Sequence, residues 1–169
     1  VPVKVGQRSF VYKDKEVRFP FPVGWAQLIS VYGIPEDTAT WQRQNLATVS
    51  FPWGAPPLGW GGTATKVRVN KKVVEVYECF FDHLYVTGDY ALIKTYDGTW
   101  NYRLKRASGH ELSTHSFGIP IDLNKEGNEL GKPGTQPWHI VEASRLFGFE
   151  WGGLWSYRDA MHFQLCSGF

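Results

Sequence analysis

The chain has 169 residues, 43% hydrophobic and 20% charged, with a net charge of +2. That length and balance describe one ordinary globular domain, residues 1–169, with room for a real core. The weak, scattered positive charge excludes a nucleic-acid footprint, and no apolar run approaches the roughly 18 residues of a spanning helix.

Residues 1–22 read as an N-terminal extended arm or short edge strand, stopped by Pro20 and Pro22. Trp25, Leu28, Ile29 and Tyr32 then fall on one face of a short helix, closed by Gly33 and Pro35. Leu46 to Phe51 is strand-like. Pro52 to Gly62 is dense in Pro and Gly and predicts a long loop carrying Trp53 and Trp60, which either line a groove or fasten the loop to the body. Val67 to Leu84 predicts the main helix, with Val73, Val76, Tyr77, Phe80 and Leu84 inward. Tyr90 to Tyr96 reads as a strand, Asp97-Gly98 as a turn, and Trp100 to Leu104 as a short extended piece. Phe117 to Leu123 predicts a strand, Asn124 to Pro137 a loop, Trp138 to Phe147 a helix, and Met161 to Leu165 a last strand. Eight Trp residues are many; packing explains most of them more simply than a ligand surface does. Cys79 and Cys166 form neither a disulfide framework nor a metal knuckle, and whether they are bridged stays open. No signal peptide is visible, which leaves the compartment open.

Two stretches carry chemistry. Ser113 to Asp122, S-T-H-S-F-G-I-P-I-D, offers His115 and Asp122. These lie seven apart, an odd number, so on a flat strand they point to opposite faces. Gly118 between them permits the bend that convergence requires. Near the C-terminus, His162 follows Asp159 by three residues. Two His and one Asp suffice to hold one Zn²⁺ and leave a fourth position for water, as in a catalytic site. His83, His110 and His139 lack such settings and get no functional reading.

The first stretch resembles S-x-H-x-x-G-x-A-x-D, and the second the [E/D]-x-x-H element, of VanY-type D-alanyl-D-alanine carboxypeptidases and related phage endolysin L-alanyl-D-glutamate peptidases. G-F-x-W-G-G-x-W at Gly148 to Trp155 and D-x-M-H-F at Asp159 to Phe163 are similar to one branch of that family. Looser similarity runs upstream through Val31 to Pro35 and the Val67–Leu84 helix. The resemblance implies an α+β fold, a small antiparallel sheet carrying a zinc site and flanked by helices, shared with the Hedgehog signalling domain. It implies one Zn²⁺ on His115, Asp122 and His162, with Asp159 as general base. It also implies an upstream Arg at the oxyanion or substrate carboxylate. Arg103 is the candidate for this catalytic place, Arg106 its rival and a substrate contact. Ser113 is a further contact near the site.

Two positions depart from the family pattern. Pro120 stands where Ala is expected and must need no ladder donor. Asp159 stands where many carboxypeptidases have Glu, which points mildly to the endolysin side. The implied partner is a peptidoglycan stem peptide, met by a monomer outside the cytoplasm, in the periplasm or wall, or by a phage lysin. A non-catalytic, zinc-stabilised module binding wall or partner is the alternative from a different class.

Overall fold

The computed structural model describes residues 3–106 and 108–169. The first two residues of the expected arm, and residue 107, lie outside the described residues. The fold is α+β: small antiparallel sheets flanked by helices.

Most of the expected arm is a hairpin. Strands β1 (Gln7–Tyr12) and β2 (Lys15–Pro20) pair antiparallel, from Tyr12 opposite Lys15 to Gln7 opposite Pro20. Lys13 and Asp14 make the two-residue turn with φ of 48° and 63°, both left-handed, the backbone that matches strand twist in a tight hairpin. Val17 and Phe19 alternate inward and bind the hairpin to the core.

Helix α1 (Gly24–Tyr32) ends at Gly33 as the periodicity predicts, burying Leu28 and Tyr32. A short helix unforeseen from sequence follows, α2 (Ala39–Asn45), capped by the Thr38 hydroxyl accepting from Trp41 N. Strand β3 (Leu46–Ser50) pairs with β4 (Lys66–Asn70). The predicted long helix is therefore shorter at its start. Residues 67–70 alternate as a strand, with Val67 and Val69 buried, and α3 (Val74–Thr87) begins only after a 3-10 turn that the Asn70 side chain caps. From there the predicted face holds: Val76, Tyr77, Phe80 and Leu84 are buried, joined by Phe81.

The sheet that matters has four strands in the order β5 (Tyr96–Gly98), β6 (Pro120–Leu123), β8 (His162–Gln164), β7 (Glu150–Trp151). Helix α4 (Trp138–Leu146) precedes β7. Ile119, Ile121, Leu123, Phe163 and Leu165 enter the apolar core, and Tyr77 of α3 reaches across to the Ile119 carbonyl at 3.0 Å. The intervening residues, Asp122, His162 and Gln164, fall on the other face, as the period of two requires.

Two expectations fail between α3 and this sheet. The strand expected at 90–96 is a 3-10 turn (Asp89–Leu92), and the expected 97–98 turn belongs to β5. The Asn124 side chain explains the first. Its oxygen accepts from the backbone N–H of Lys94 and Thr95 and its amide donates to Leu92 O, so this segment is satisfied without a ladder. Cys79 and Cys166 are free thiols. Among the described residues, no helix is long and apolar enough to cross a membrane.

Candidate metal centre

Asp122 of β6 and His162 of β8 stand directly opposite each other in the ladder. Cross-strand partners share a face, so this pair is set by register alone. His162 Nδ1 lies 3.0 Å from Asp122 Oδ1.

His115 arrives by another route. It sits in a 3-10 turn, Thr114–Phe117, which ends at Gly118 with φ of 71°. A Cβ there would stand 2.8 Å from Leu46 Cδ2 and 3.0 Å from Asn70 N, so both conformation and space ask for glycine. The bend inferred from Gly118 is thus real, and it folds His115 back over β6. Its Nε2 comes to 3.1 Å from Asp122 Oδ2 and 3.2 Å from His162 Nδ1. Pro120 costs nothing here, because β5 is registered only against Asp122 and Leu123.

The hydrogen-bond inventory fixes which ring nitrogens are free. His115 Nδ1 lies 2.6 Å from the Thr99 carbonyl, which can only accept, so Nδ1 carries the proton and Nε2 a lone pair. Gln164 donates its amide to Cys166 O, which turns its oxygen toward His162 Nε2 at 3.0 Å and the Thr114 hydroxyl at 3.2 Å. His162 Nε2 is therefore the protonated nitrogen. Nδ1 is left to face inward. Two lone pairs and a carboxylate then point at one another across about 3 Å with no hydrogen among them, an arrangement only a cation reconciles.

The spacing fits one. For metal–ligand bonds of about 2.0 Å, neighbouring donors on a tetrahedron stand about 3.3 Å apart, close to the 3.0–3.2 Å found here. These three buried residues could hold a metal ion. The outer partners, a carbonyl on one His and an amide oxygen on the other, are of the kind that orients metal-bound imidazoles. Without the ion, a proton takes its place. Burial alone would raise the Asp122 pKa, but His115 and His162 together hold it well below the carboxylate range. Burial would lower His162, but the Asp122 hydrogen bond and charge, helped by Asp159, leave it raised.

Asp159 stands beside this group. Its backbone carbonyl accepts from His162 N at 3.1 Å, and its own N–H donates to Gly152 O at 3.0 Å. A Cβ on Gly152 would collide with the Asp159 carbonyl. The Gly-Gly-x-Trp run thus lets the chain pass close enough to seat Asp159. Asp159 Oδ1 is buried without a hydrogen-bond partner, uncommon in a native fold and frequent at working sites. Burial pushes its pKa up, and Asp122 adds to this; His162, His115 and Arg106 pull the other way.

Two hollows flank the group. A cleft of about 370 Å³ is lined by His162, Asp159, Ser113 and Trp155, among others. A second hollow of about 360 Å³ is lined by His115, Asp122, Trp60, Asp97 and Trp100. Arg103 and Arg106 line both. Arg103 is half-buried and Arg106 exposed. Burial lowers the Arg103 pKa, with the Arg106 charge adding to it, yet a guanidinium stays charged. Ser113 is buried and its hydroxyl oxygen caps the 3-10 turn by accepting from His115 N at 3.3 Å. Of the two loop tryptophans, Trp53 stacks on Tyr90 and is fastened to the core, whereas Trp60 is 66% exposed at the second hollow. His83, His110 and His139 take no part. Sequence reading missed Gln164 and Thr99. Gln164 had a signal, lying two residues after His162 on the same strand face; Thr99 acts through its carbonyl and had none.

Residues 106–165 match the sequence model of a family described as D-alanyl-D-alanine carboxypeptidase, which supports the VanY-type family that the motifs resemble. The matched stretch holds His115, Asp122, Asp159 and His162 and leaves Arg103 just outside; the looser upstream similarity lies beyond it. No curated protein and no solved structure matches the chain.

Proposed function

From that family match we propose that this protein is a zinc-dependent peptidase that hydrolyses peptidoglycan stem peptides. What carries the reading is the convergence of His115 Nε2, His162 Nδ1 and the Asp122 carboxylate beside an unpartnered Asp159. His115, Asp122 and His162 would hold one zinc ion, with a coordination position left for water. Bound there, zinc would supply Lewis acidity for the water and for the scissile carbonyl.

The chain's own residues supply the rest. Asp159, its proton affinity raised by burial, takes a proton from the attacking water and returns it to the departing amine. Arg103, half-buried and so poorly screened, offers positive charge where the carbonyl oxygen becomes an oxyanion. Arg106, exposed at the mouth, suits a substrate carboxylate. Ser113 accepts from its own turn and keeps its O–H for a substrate acceptor in the cleft. A substrate of this kind places the protein outside the cytoplasm, in the periplasm or wall or in a phage lysin. It works as a monomer.

A binding module of the same fold would have no use for a half-buried carboxylate with an unpartnered oxygen beside its metal, which favours the enzyme. The test is digestion of purified muropeptides with fragments identified by mass. Wild-type protein should release defined fragments, stop with a chelator and resume with zinc. Asp159→Ala should abolish release while folding and zinc content persist. Wild-type protein that carries zinc and releases nothing would leave the binding module standing.

A further inference from the structure

A site that trims chain ends is blind on one side, with a cation at the closed end to hold the terminal carboxylate. The geometry here is different. His115 and Asp122 face one hollow, His162 and Asp159 the other, and the two are nearly equal in size. Each falls at the small end of the range for ligand pockets, enough for part of a substrate. Arg103 and Arg106 border both hollows and so mark the closed end of neither, and Lys105, the further cation of the first hollow, is paired with Glu111 at 2.7 Å.

The second hollow also offers a free carboxylate no cation of its own. Its charged lining groups outside the triad are Arg103 and Arg106, shared with the first hollow, and Asp97, which repels one. Its walls are aromatic. Trp60 projects from the breaker-rich loop with its ring 6.2 Å from that of Tyr96, and Trp100 is braced by the Arg68 guanidinium 4.8 Å above it. Such walls suit an uncharged or amine-bearing stretch of chain.

We infer that substrate lies across the triad with a segment in each hollow, so that the bond cut is internal to the peptide, and that the Trp60 indole is the specificity-determining wall of the second hollow. This rests on the peptidase reading.

The test compares a synthetic stem pentapeptide with the same peptide acetylated at its N-terminus and amidated at its C-terminus, using the zinc-loaded protein. An internal cut leaves kcat/KM for the two within about threefold, and Trp60→Ala raises KM about 2- to 10-fold with kcat little changed. Trp60→Phe restores most of that loss. Hydrolysis confined to the free-carboxylate peptide overturns the internal cut, and an unchanged KM in Trp60→Ala overturns the role of Trp60. Should neither peptide be cut, the peptidase reading fails by itself. Calorimetric titration of Asp159→Ala with the blocked pentapeptide still decides the groove: binding weakened 2- to 10-fold by adding Trp60→Ala supports it, and equal or absent binding sinks it.

Discussion

Gln164 is not one of the three candidate ligands, yet its replacement should cost metal affinity. In Gln164→Met the side chain keeps its length and loses its polar atoms. His162 Nε2–H, the Thr114 hydroxyl and the Cys166 carbonyl then lose the partners they have at 3.0, 3.2 and 3.1 Å. At about 1 kcal/mol per buried orphan, the low end of the range, the fold loses about 3 kcal/mol. The larger consequence is at the other ring nitrogen. Without an acceptor at Nε2, the single proton of neutral His162 belongs on Nδ1, where Asp122 accepts it at 3.0 Å. A nitrogen so occupied is no ligand. A hydrogen bond to a charged group contributes about 1.5–3 kcal/mol and must be broken before metal binds, which corresponds to roughly ten- to hundredfold in zinc affinity. Competition against a chromophoric chelator at fixed pH measures this, and urea denaturation of the metal-free protein measures the stability loss. Gln164→Glu, which keeps an oxygen facing Nε2, should bind zinc at least as tightly as wild type. A Gln164→Met protein that folds and binds zinc within twofold of wild type would refute the reasoning about the proton's place.

Gly118→Ala should destabilise the protein by about 1–3 kcal/mol from the left-handed backbone alone, and by more because the new Cβ meets a backbone nitrogen that cannot swing aside; urea denaturation at an unchanged midpoint would contradict this. The metal-free protein should be most stable in mildly acid solution. Asp122, its pKa depressed, contributes above about 3.9 and loses that contribution as pH falls below it. Asp159, its pKa raised, works the opposite way and makes the acid flank shallower. His162, its pKa raised, contributes fully below about 6.5 and loses that as pH rises through its folded value. Zinc, which needs the deprotonated site, should lift the alkaline flank selectively in thermal melts; equal stabilisation at pH 5 and pH 8 would count against a site shared by proton and metal.

The groups of the candidate metal centre were legible because their chemistry restricts them to a few residue types at fixed spacing. What sets their protons was less so: the Thr99 carbonyl has no letter of its own, and Gln164 announces itself only once β8 is known to be a strand. The same division runs through the fold. Val73, Val76, Tyr77, Phe80 and Leu84 declare a helix by period, and α3 obeys. But the alternating Val67 and Val69 fit the upstream end of a helix as well as a strand. The choice was made by β3, which puts Val49 opposite Val67 and Ala47 opposite Val69. The 13–14 turn escaped notice because neither Lys nor Asp is the glycine that left-handed hairpin turns usually recruit. Trp53 and Trp60 share one loop and one composition, and only the stacking of Trp53 on Tyr90 tells the anchored ring from the exposed one. For Val67, Val69 and Trp53 the deciding partner lies on another element of the chain. Local pattern therefore names the residues that do chemistry before it can say what holds them still, and variants at Gln164 and Gly118 probe that second, less visible layer.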